Sequence, residues 1–286
     1  MRMRARRVTA GAASTPIITF LSDYGLQDEF VGVCHGVIAR RCPAARVIDL
    51  THGIPPYDVR AGALALAAAL PYMPAGVHLA VVDPEVGAAG SHARRAVALC
   101  VAAQARLLVG PDNGLLMPAA ERLGGAVQAV DISDSRERAA RPSRTFAGRD
   151  VFAPVAAALA AGEPLAAVGS ELAVGELRAL QLPVARVDDG ALIAHVLYSD
   201  RFGNVILDAT PEQLARAGGR AGAALEVHHG GRVHPARCER AFAEVPVGEL
   251  LIYVDAQRMV ALAVNQGSAA RLLAAARDDE LVVRAA

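Results

Sequence analysis

Phe20-Leu21-Ser22-Asp23-Tyr24-Gly25-Leu26-Gln27-Asp28-Glu29-Phe30 is the stretch from which the fold can be read outward. Ile17 to Leu21 form an apolar, β-branched run that predicts a buried strand. The run stops at Asp23, and Gly25 lets the chain turn. From Glu29 to Arg41 the apolar residues Phe30, Val33, Val37 and Ile38 recur at helical spacing, which predicts a helix. Asp23 and Asp28 are therefore held where a strand hands over to a helix, and in open α/β sheets ligands bind outside the carboxyl ends of the strands. Acidic groups in that place suit hydroxyls or an amine, not phosphate. Asp28 has an equally good reading as a cap of the helix.

The same alternation continues to about Leu180. Val47–Leu50, Val77–Val82, Ala96–Val101, Leu107–Val109 and Val127–Ile132 read as strands, and Val59–Leu70, Leu115–Leu123 and Asp150–Ala161 as helices. This predicts a layered α/β N-terminal domain over residues 14–182. After Pro183 short strands dominate (Ala191–Tyr198, Val205–Leu207, Ala224–His228, Leu250–Val254 and Met259–Ala263), separated by Gly, Asp and Pro turns. They predict a smaller, mainly β C-terminal domain over residues 190–286, ending with a helix at Ala269–Ala276. Alternating charge in Asp134–Arg144, without apolar partners, predicts a solvated loop.

The chain has 286 residues, 53% of them hydrophobic, enough to bury two modest cores. A formal net charge of +0 gives no electrostatic reason to expect nucleic acid or an anionic membrane as partner. Every basic residue is Arg and there is no Lys, which excludes a Schiff-base or P-loop lysine. Cys34, Cys42, Cys100 and Cys238 form no C-x-x-C pair and have no His at metal-ligand spacing, so buried thiols in a reducing cytoplasmic compartment are expected and no metal site is. Neighbouring His228, His229 and His234 fall in a hairpin-like segment unsuited to a closed metal site. The Arg-rich start, Met1 to Ala13, has no apolar segment of a secretory signal, and no run is long enough to span a bilayer.

Polar, Gly-containing islands recur at the predicted strand ends, and taken singly each is ordinary turn chemistry. In order they are Leu21-Ser22-Asp23-Tyr24-Gly25, Asp83-Pro84-Glu85-Val86-Gly87, Gly110-Pro111-Asp112-Asn113-Gly114-Leu115-Leu116, Thr145-Phe146-Ala147-Gly148-Arg149-Asp150, Asp200-Arg201-Phe202-Gly203-Asn204 and Ala263-Val264-Asn265-Gln266-Gly267. Together, from Ile17 to Leu273, they resemble the S-adenosyl-L-methionine (SAM) hydroxide adenosyltransferases, or SAM hydrolases, relatives of fluorinase and chlorinase. The resemblance implies an α/β domain followed by a β-rich one, a homotrimer with sites between subunits, and no cofactor. It also implies attack of a small nucleophile on the ribose C5′ of SAM with loss of L-methionine; water as nucleophile gives adenosine.

Residue by residue, the resemblance implies that Asp23 accepts from both ribose hydroxyls and that Asp28 faces the methionine ammonium. Ser199 or Asp200 would approach the same ammonium. Phe202 and Asn204 would meet the adenine, and the backbone around Asn265 and Gln266 would read its edge. Tyr57 would pack on the nucleoside, and Phe146 and Asn113 belong to shared motifs, Asn113 being equally suited to forming a turn. Asp83 with Arg94 matches the hydrolase side of the family, where an Asp-Arg-His set holds the attacking water; the halogenases carry a Tyr at the position of Asp83.

The chain departs from the family pattern at Ala147, where a His is expected, at Glu85, where a Gly is expected, and in a longer loop between Gly87 and Arg94 that contains His92. His92 either restores the missing imidazole or is an ordinary solvated loop residue. Three functions are thereby set against one another: SAM hydrolysis, a halide-dependent adenosyl transfer giving a 5′-halo-5′-deoxyadenosine, and a catalytically impaired module that binds SAM or adenosine.

Overall fold

A computed structural model describes residues 15–88, 94–103 and 106–286. The chain divides after Leu180 into two compact units. The first is built on a seven-stranded sheet of order β2-β1-β3-β5-β4-β6-β7. Its strands are β1 (Ile17–Ser22), β2 (Arg46–Thr51), β3 (Val77–Val81), β4 (Ala96–Val101), β5 (Leu107–Pro111), β6 (Ala126–Asp131) and β7 (Ser170–Leu172). Its helices are α1 (Phe30–Arg41), α2 (Val59–Ala69), α3 (Met117–Arg122) and α4 (Ala153–Ala160).

Strand alternation sorts the apolar side chains into two cores, one on each face of this sheet. Ile18 and Phe20 of β1 and Val77, Leu79 and Val81 of β3 pack with Val31, Cys34 and Ile38 of α1 and the apolar face of α4. Leu21 and Ala80, one residue out of step, pack with Leu66 of α2 and Ala119 and Ala120 of α3 on the other face. The layered α/β architecture expected from the sequence is thus present. The buried stripe of α1 is Val31, Cys34 and Ile38; of the predicted Phe30, Val33, Val37 and Ile38 only Ile38 is fully buried, the face being centred one residue later than expected. Asp28 does not cap α1: the N-cap is Glu29, with no side-chain hydrogen bond.

Strands β2, β1, β3 and β5 pair in parallel, whereas β4, β6 and β7 add antiparallel edges. Helices α1 and α2 leave on opposite faces of the sheet, so the order reverses between β1 and β3. That reversal opens a crevice at the carboxyl ends of these two strands. Asp23 directly follows Ser22 at the tip of β1, and Asp83 lies two residues beyond β3.

The second unit is an eight-stranded sheet of order β10-β14-β13-β12-β11-β15-β9-β8. It comprises β8 (Arg186–Asp188), β9 (Ala191–Ser199), β10 (Val205–Leu207), β11 (Ala224–His229), β12 (Arg232–Cys238), β13 (Leu250–Val254), β14 (Val260–Val264) and β15 (Glu280–Ala285), with α5 (Pro211–Arg216) and α6 (Ala269–Leu273). An additional β9–β10 pairing closes the sheet into a barrel around Leu192, Val196, Leu225, Ile252 and Leu262. Strand β8 pairs with β9, so this unit begins ahead of residue 190. The His228–His234 segment forms the β11–β12 hairpin.

Candidate active site

The crevice between β1 and β3 holds a cavity of about 210 Å³ lined by Asp23, Tyr24, Tyr57, Asp83, Ala147 and Gly148, with Phe30, Pro56, Val86 and Thr145 completing the wall. Three of the motifs at strand tips and loops therefore place residues in one hollow. The volume is below the roughly 300–1,000 Å³ of ordinary ligand pockets, so it suits a sugar or comparable fragment.

Asp23 accepts a hydrogen bond at Oδ2 from the Tyr57 backbone N–H at 2.9 Å. Tyr57 donates from a left-handed backbone, φ 68°, and its ring is largely exposed beside the cavity. Burial raises the Asp23 carboxyl above its ordinary pKa, the backbone hydrogen bonds oppose that rise, and the Asp83 charge adds to it. Two carboxylates close enough to repel are thus turned toward the same space. Burial also pushes the Tyr24 phenol well above its ordinary value, so it remains a donor.

Asp83 is buried, and Arg94 grips it with Nε 3.0 Å from Oδ1 and 3.1 Å from Oδ2 while a terminal nitrogen closes on Oδ2. The Arg94 guanidinium also lies 5.2 Å over the Phe152 ring. The predicted Asp83–Arg94 pair is present, with a fork-like fit that a lysine could not reproduce. Arg95 instead ties Asp112 and Glu176 together. Glu85, in place of the expected Gly, pairs with Arg178 at 3.0 Å.

The Thr145–Asp150 segment enters through a π-turn at Gly148–Phe152, in which the Ala153 N–H reaches back to the Gly148 carbonyl. Such turns widen a helix locally and recur at functional sites. A Cβ at Gly148 would collide with the Tyr24 hydroxyl, so glycine there allows the aromatic ring to approach. Phe146 stands behind the cavity, its ring 5.8 Å from Tyr24 and 5.1 Å from Phe30. Arg149 pairs with Asp150, whose Oδ2 also accepts from the Ser143 N–H at 2.7 Å. Hydrogen bonding to Arg149 holds the Asp150 carboxyl below its ordinary pKa.

Some predicted residues lie elsewhere. Asp28 is exposed and does not line the cavity. Asn113 donates to the Val82 carbonyl at 2.9 Å and accepts from the Leu115 N–H at 3.2 Å, bracing the loop after β5. His92 lies outside the described residues.

In the second unit a hollow of about 400 Å³ is lined by Phe202, Asn204, Phe242, Val264, Asn265, Gln266 and Gly267. Phe202 is largely exposed. Asp200 organises its loop, accepting from the Phe202 and Asn204 backbone N–H groups at 2.9 Å each and from the Asn204 side-chain amide at 2.8 Å. Ser199 is exposed at the end of β9. The Asn265 amide donates to the Val245 carbonyl at 2.8 Å, and Gln266 has a left-handed backbone, φ 54°.

Sequence reading did not single out Tyr24, Phe30, Pro56, Val86, Thr145 or Gly148 as lining residues. Tyr24, Val86, Thr145 and Gly148 lie within the quoted motifs, which is the available signal. A second omission is a cluster of His35, Asp49 and His52, whose ligand atoms lie within 4.8 Å of one another. These residues come from α1, β2 and the loop after it, so spacing along the chain did not reveal them.

Comparison with known proteins places the chain in a family. Residues 18–169 match the SAM hydroxide adenosyltransferase N-terminal domain and residues 194–282 the SAM hydroxide adenosyltransferase C-terminal domain. The chain is 51% identical to the (R)-S-adenosyl-L-methionine hydrolase of Salinispora arenicola over 96% of its own length and 99% of that protein. A fluorinase of Actinopolyspora mzabensis is more distant, at 30% identity over 90% of this chain and 93% of its own. Among solved structures, an uncharacterised conserved protein of Thermotoga maritima superposes with a TM-score of 0.86 at 34% identity, covering 93% of this chain and 99% of that one. The chain belongs to the SAM hydroxide adenosyltransferase family, with both of its domains present in order.

Proposed function

We propose that this protein is an enzyme that hydrolyses S-adenosyl-L-methionine to adenosine and L-methionine, acting on the (R) configuration at sulfur that its relatives' name specifies. The observation that carries the proposal is the pair of carboxylates in one small cavity, Asp23 facing it beside Tyr57 and Asp83 held by Arg94. Asp23 takes the ribose diol, one hydroxyl to each oxygen. Asp83 accepts a hydrogen from the attacking water and turns its lone pair toward C5′. The water oxygen bonds to C5′ as the C5′–S bond breaks, its electrons leave on the methionine sulfur, and a proton is released to solvent.

A sulfonium departs neutral, so no general acid is needed and in-line placement does most of the work. Asp83 also disfavours a halide in the water's place. Two unpaired unit charges 4 Å apart repel by about 4 kcal/mol at an effective dielectric of 20, a penalty that the Arg94 charge on Asp83 reduces. The scheme calls for no cofactor. Phe202, Asn204, Asn265 and Gln266 supply the adenine contacts, and Asp28 with Ser199 or Asp200 those to the methionine ammonium. The proposal includes a homotrimer with sites between subunits and a cytoplasmic location; light scattering of the purified protein tests the first. Among the described residues no helix is long and apolar enough to cross a membrane.

The test is incubation with each sulfur epimer of SAM in heavy-oxygen water, with and without chloride. Expected products are L-methionine and adenosine carrying the heavy oxygen, from the (R) epimer and regardless of chloride. A 5′-halo-5′-deoxyadenosine would make the protein a halogenase, and tight binding without product would make it a binding module.

A further inference from the structure

His35, Asp49 and His52 meet beside the tip of β1, outside the cavity already described. His35 Nε2 lies 2.9 Å and His52 Nε2 3.0 Å from the same oxygen, Asp49 Oδ1. The first contact is an aligned hydrogen bond. The second is not: His52 Nε2 is buried, the residue being only 5% exposed, and among the described residues it has no hydrogen-bond partner of acceptable geometry. An imidazole nitrogen so placed, next to a carboxylate but not directed at it, is costly unless something occupies the point toward which both turn.

The rest of the His52 ring is fixed. Its Nδ1 lies 2.8 Å from Ser22 Oγ, and the Phe20 ring meets it edge-on at 4.7 Å. Ser22 Oγ also accepts from the Tyr24 N–H at 3.3 Å. When Nδ1 donates to this hydroxyl, Nε2 presents a bare lone pair beside Asp49. That arrangement suits a cation and penalises its absence, and an outer hydrogen bond of this kind commonly orients a ligating histidine. His35 and Asp49 are each partly exposed, giving the cluster an open side to solvent.

The geometry points to a divalent transition-metal site formed by His35 Nε2, His52 Nε2 and Asp49 Oδ1, with solvent completing the coordination. Two imidazoles and one carboxylate suit Zn²⁺ or Co²⁺ and do not suit Mg²⁺ or Ca²⁺. Ligand bonds of about 2.0–2.1 Å require the two histidines to open from the carboxylate by a few tenths of an ångström. The partly exposed His35 and Asp49 can supply that movement. The site takes no part in the proposed hydrolysis. It would brace the Ser22–Tyr24 and His52–Tyr57 loops, which the Gly25 N–H already joins at the His52 carbonyl, 2.8 Å away.

The test uses metal-free, tag-free full-length protein titrated with Co²⁺, followed by its visible ligand-field absorption and by calorimetry, with Zn²⁺ as competitor. One saturable site per chain is expected, weakened at least about tenfold in both His35→Gln and Asp49→Asn. Thermal stability should rise with Co²⁺ in the parent protein and not in either variant, since an ion that binds the folded form stabilises it by mass action. Neither residue lines the substrate cavity, so release of adenosine from SAM checks independently that the variants are folded. Absence of a saturable site, or a site of equal affinity in both variants, overturns the assignment.

Discussion

Arg94 closes on both oxygens of Asp83, its Nε lying 3.0 Å from one and 3.1 Å from the other, while Phe152 backs the guanidinium. Both side chains are largely withdrawn from solvent, so removing one partner strands a buried charge. Arg94→Ala should cost about 3–5 kcal/mol of stability, the usual penalty for breaking a buried pair. It should also lower kcat at least about a hundredfold. Arg94→Lys should recover part of the stability but little of the rate, because one ammonium cannot span both oxygens. Denaturant titration and steady-state release of adenosine read the two effects separately.

Asp23 shows the opposite balance, since burial makes its charge unfavourable to the fold. Its folded pKa is raised above the ordinary 3.8. The folded state therefore holds the proton longer than the unfolded one, and this group's contribution declines as pH rises from the unfolded pKa through the folded one. Asp23→Asn should raise the melting temperature near neutrality, with the gain disappearing below the unfolded value. The same variant should lower kcat/KM at least about a hundredfold, because hydrogen bonds to a charged acceptor are worth roughly 1.5–3 kcal/mol each. A variant neither stabilised near neutrality nor impaired would remove Asp23 from the ribose site.

The site was legible wherever an apolar run ends in a polar tip. Ile17–Leu21 before Asp23 and Val77–Val82 before Asp83 announce their strands, and a parallel sheet then brings the two tips together. What escaped lacks a local signature. The π-turn at Gly148–Phe152 adds a residue to a helix without any characteristic side chain, so the α-helix begins at Ala153 and not at Asp150. α6 ends at Leu273, where Ala274 turns left-handed at φ 51° without the usual Gly or Asn. Strands β8, β12 and β15 mix charged residues with apolar ones and are defined by their partners in the barrel. Asp134–Arg144, read as solvated, also holds buried Ser135 and is tied down by the Ala139 N–H to the Asp150 carbonyl.

Asp150 fastens that loop, and its pH signature should be the reverse of Asp23. Hydrogen bonding to Arg149 lowers its folded pKa below 3.8, with the Ser143 N–H assisting. Its contribution is therefore fully present above the unfolded value and is lost as pH falls through the folded one. Asp150→Asn should cost about 1.5–3 kcal/mol near neutrality, and the gap to the parent protein should close in strong acid. Melting curves across the acid range measure both. A gap independent of pH would assign the loss to packing, not charge.

Ala147 lines the cavity with Asp83 at the position where the family resemblance leads to the expectation of an imidazole. A methyl group can neither hold a water nor accept its proton, so in the proposed hydrolysis Asp83 would position the attacking water with one partner missing. Ala147→His should raise kcat for SAM hydrolysis about tenfold or more, within the range that a positioned acid–base group contributes. KM should change little, because the proposed ribose contact is made by Asp23. If His92 supplies the missing imidazole from its loop, His92→Ala should lower turnover by a similar factor and Ala147→His should restore it in the double variant. Unchanged turnover in His92→Ala excludes that role. Unchanged turnover in Ala147→His would mean that Asp83 and Arg94 alone position the water.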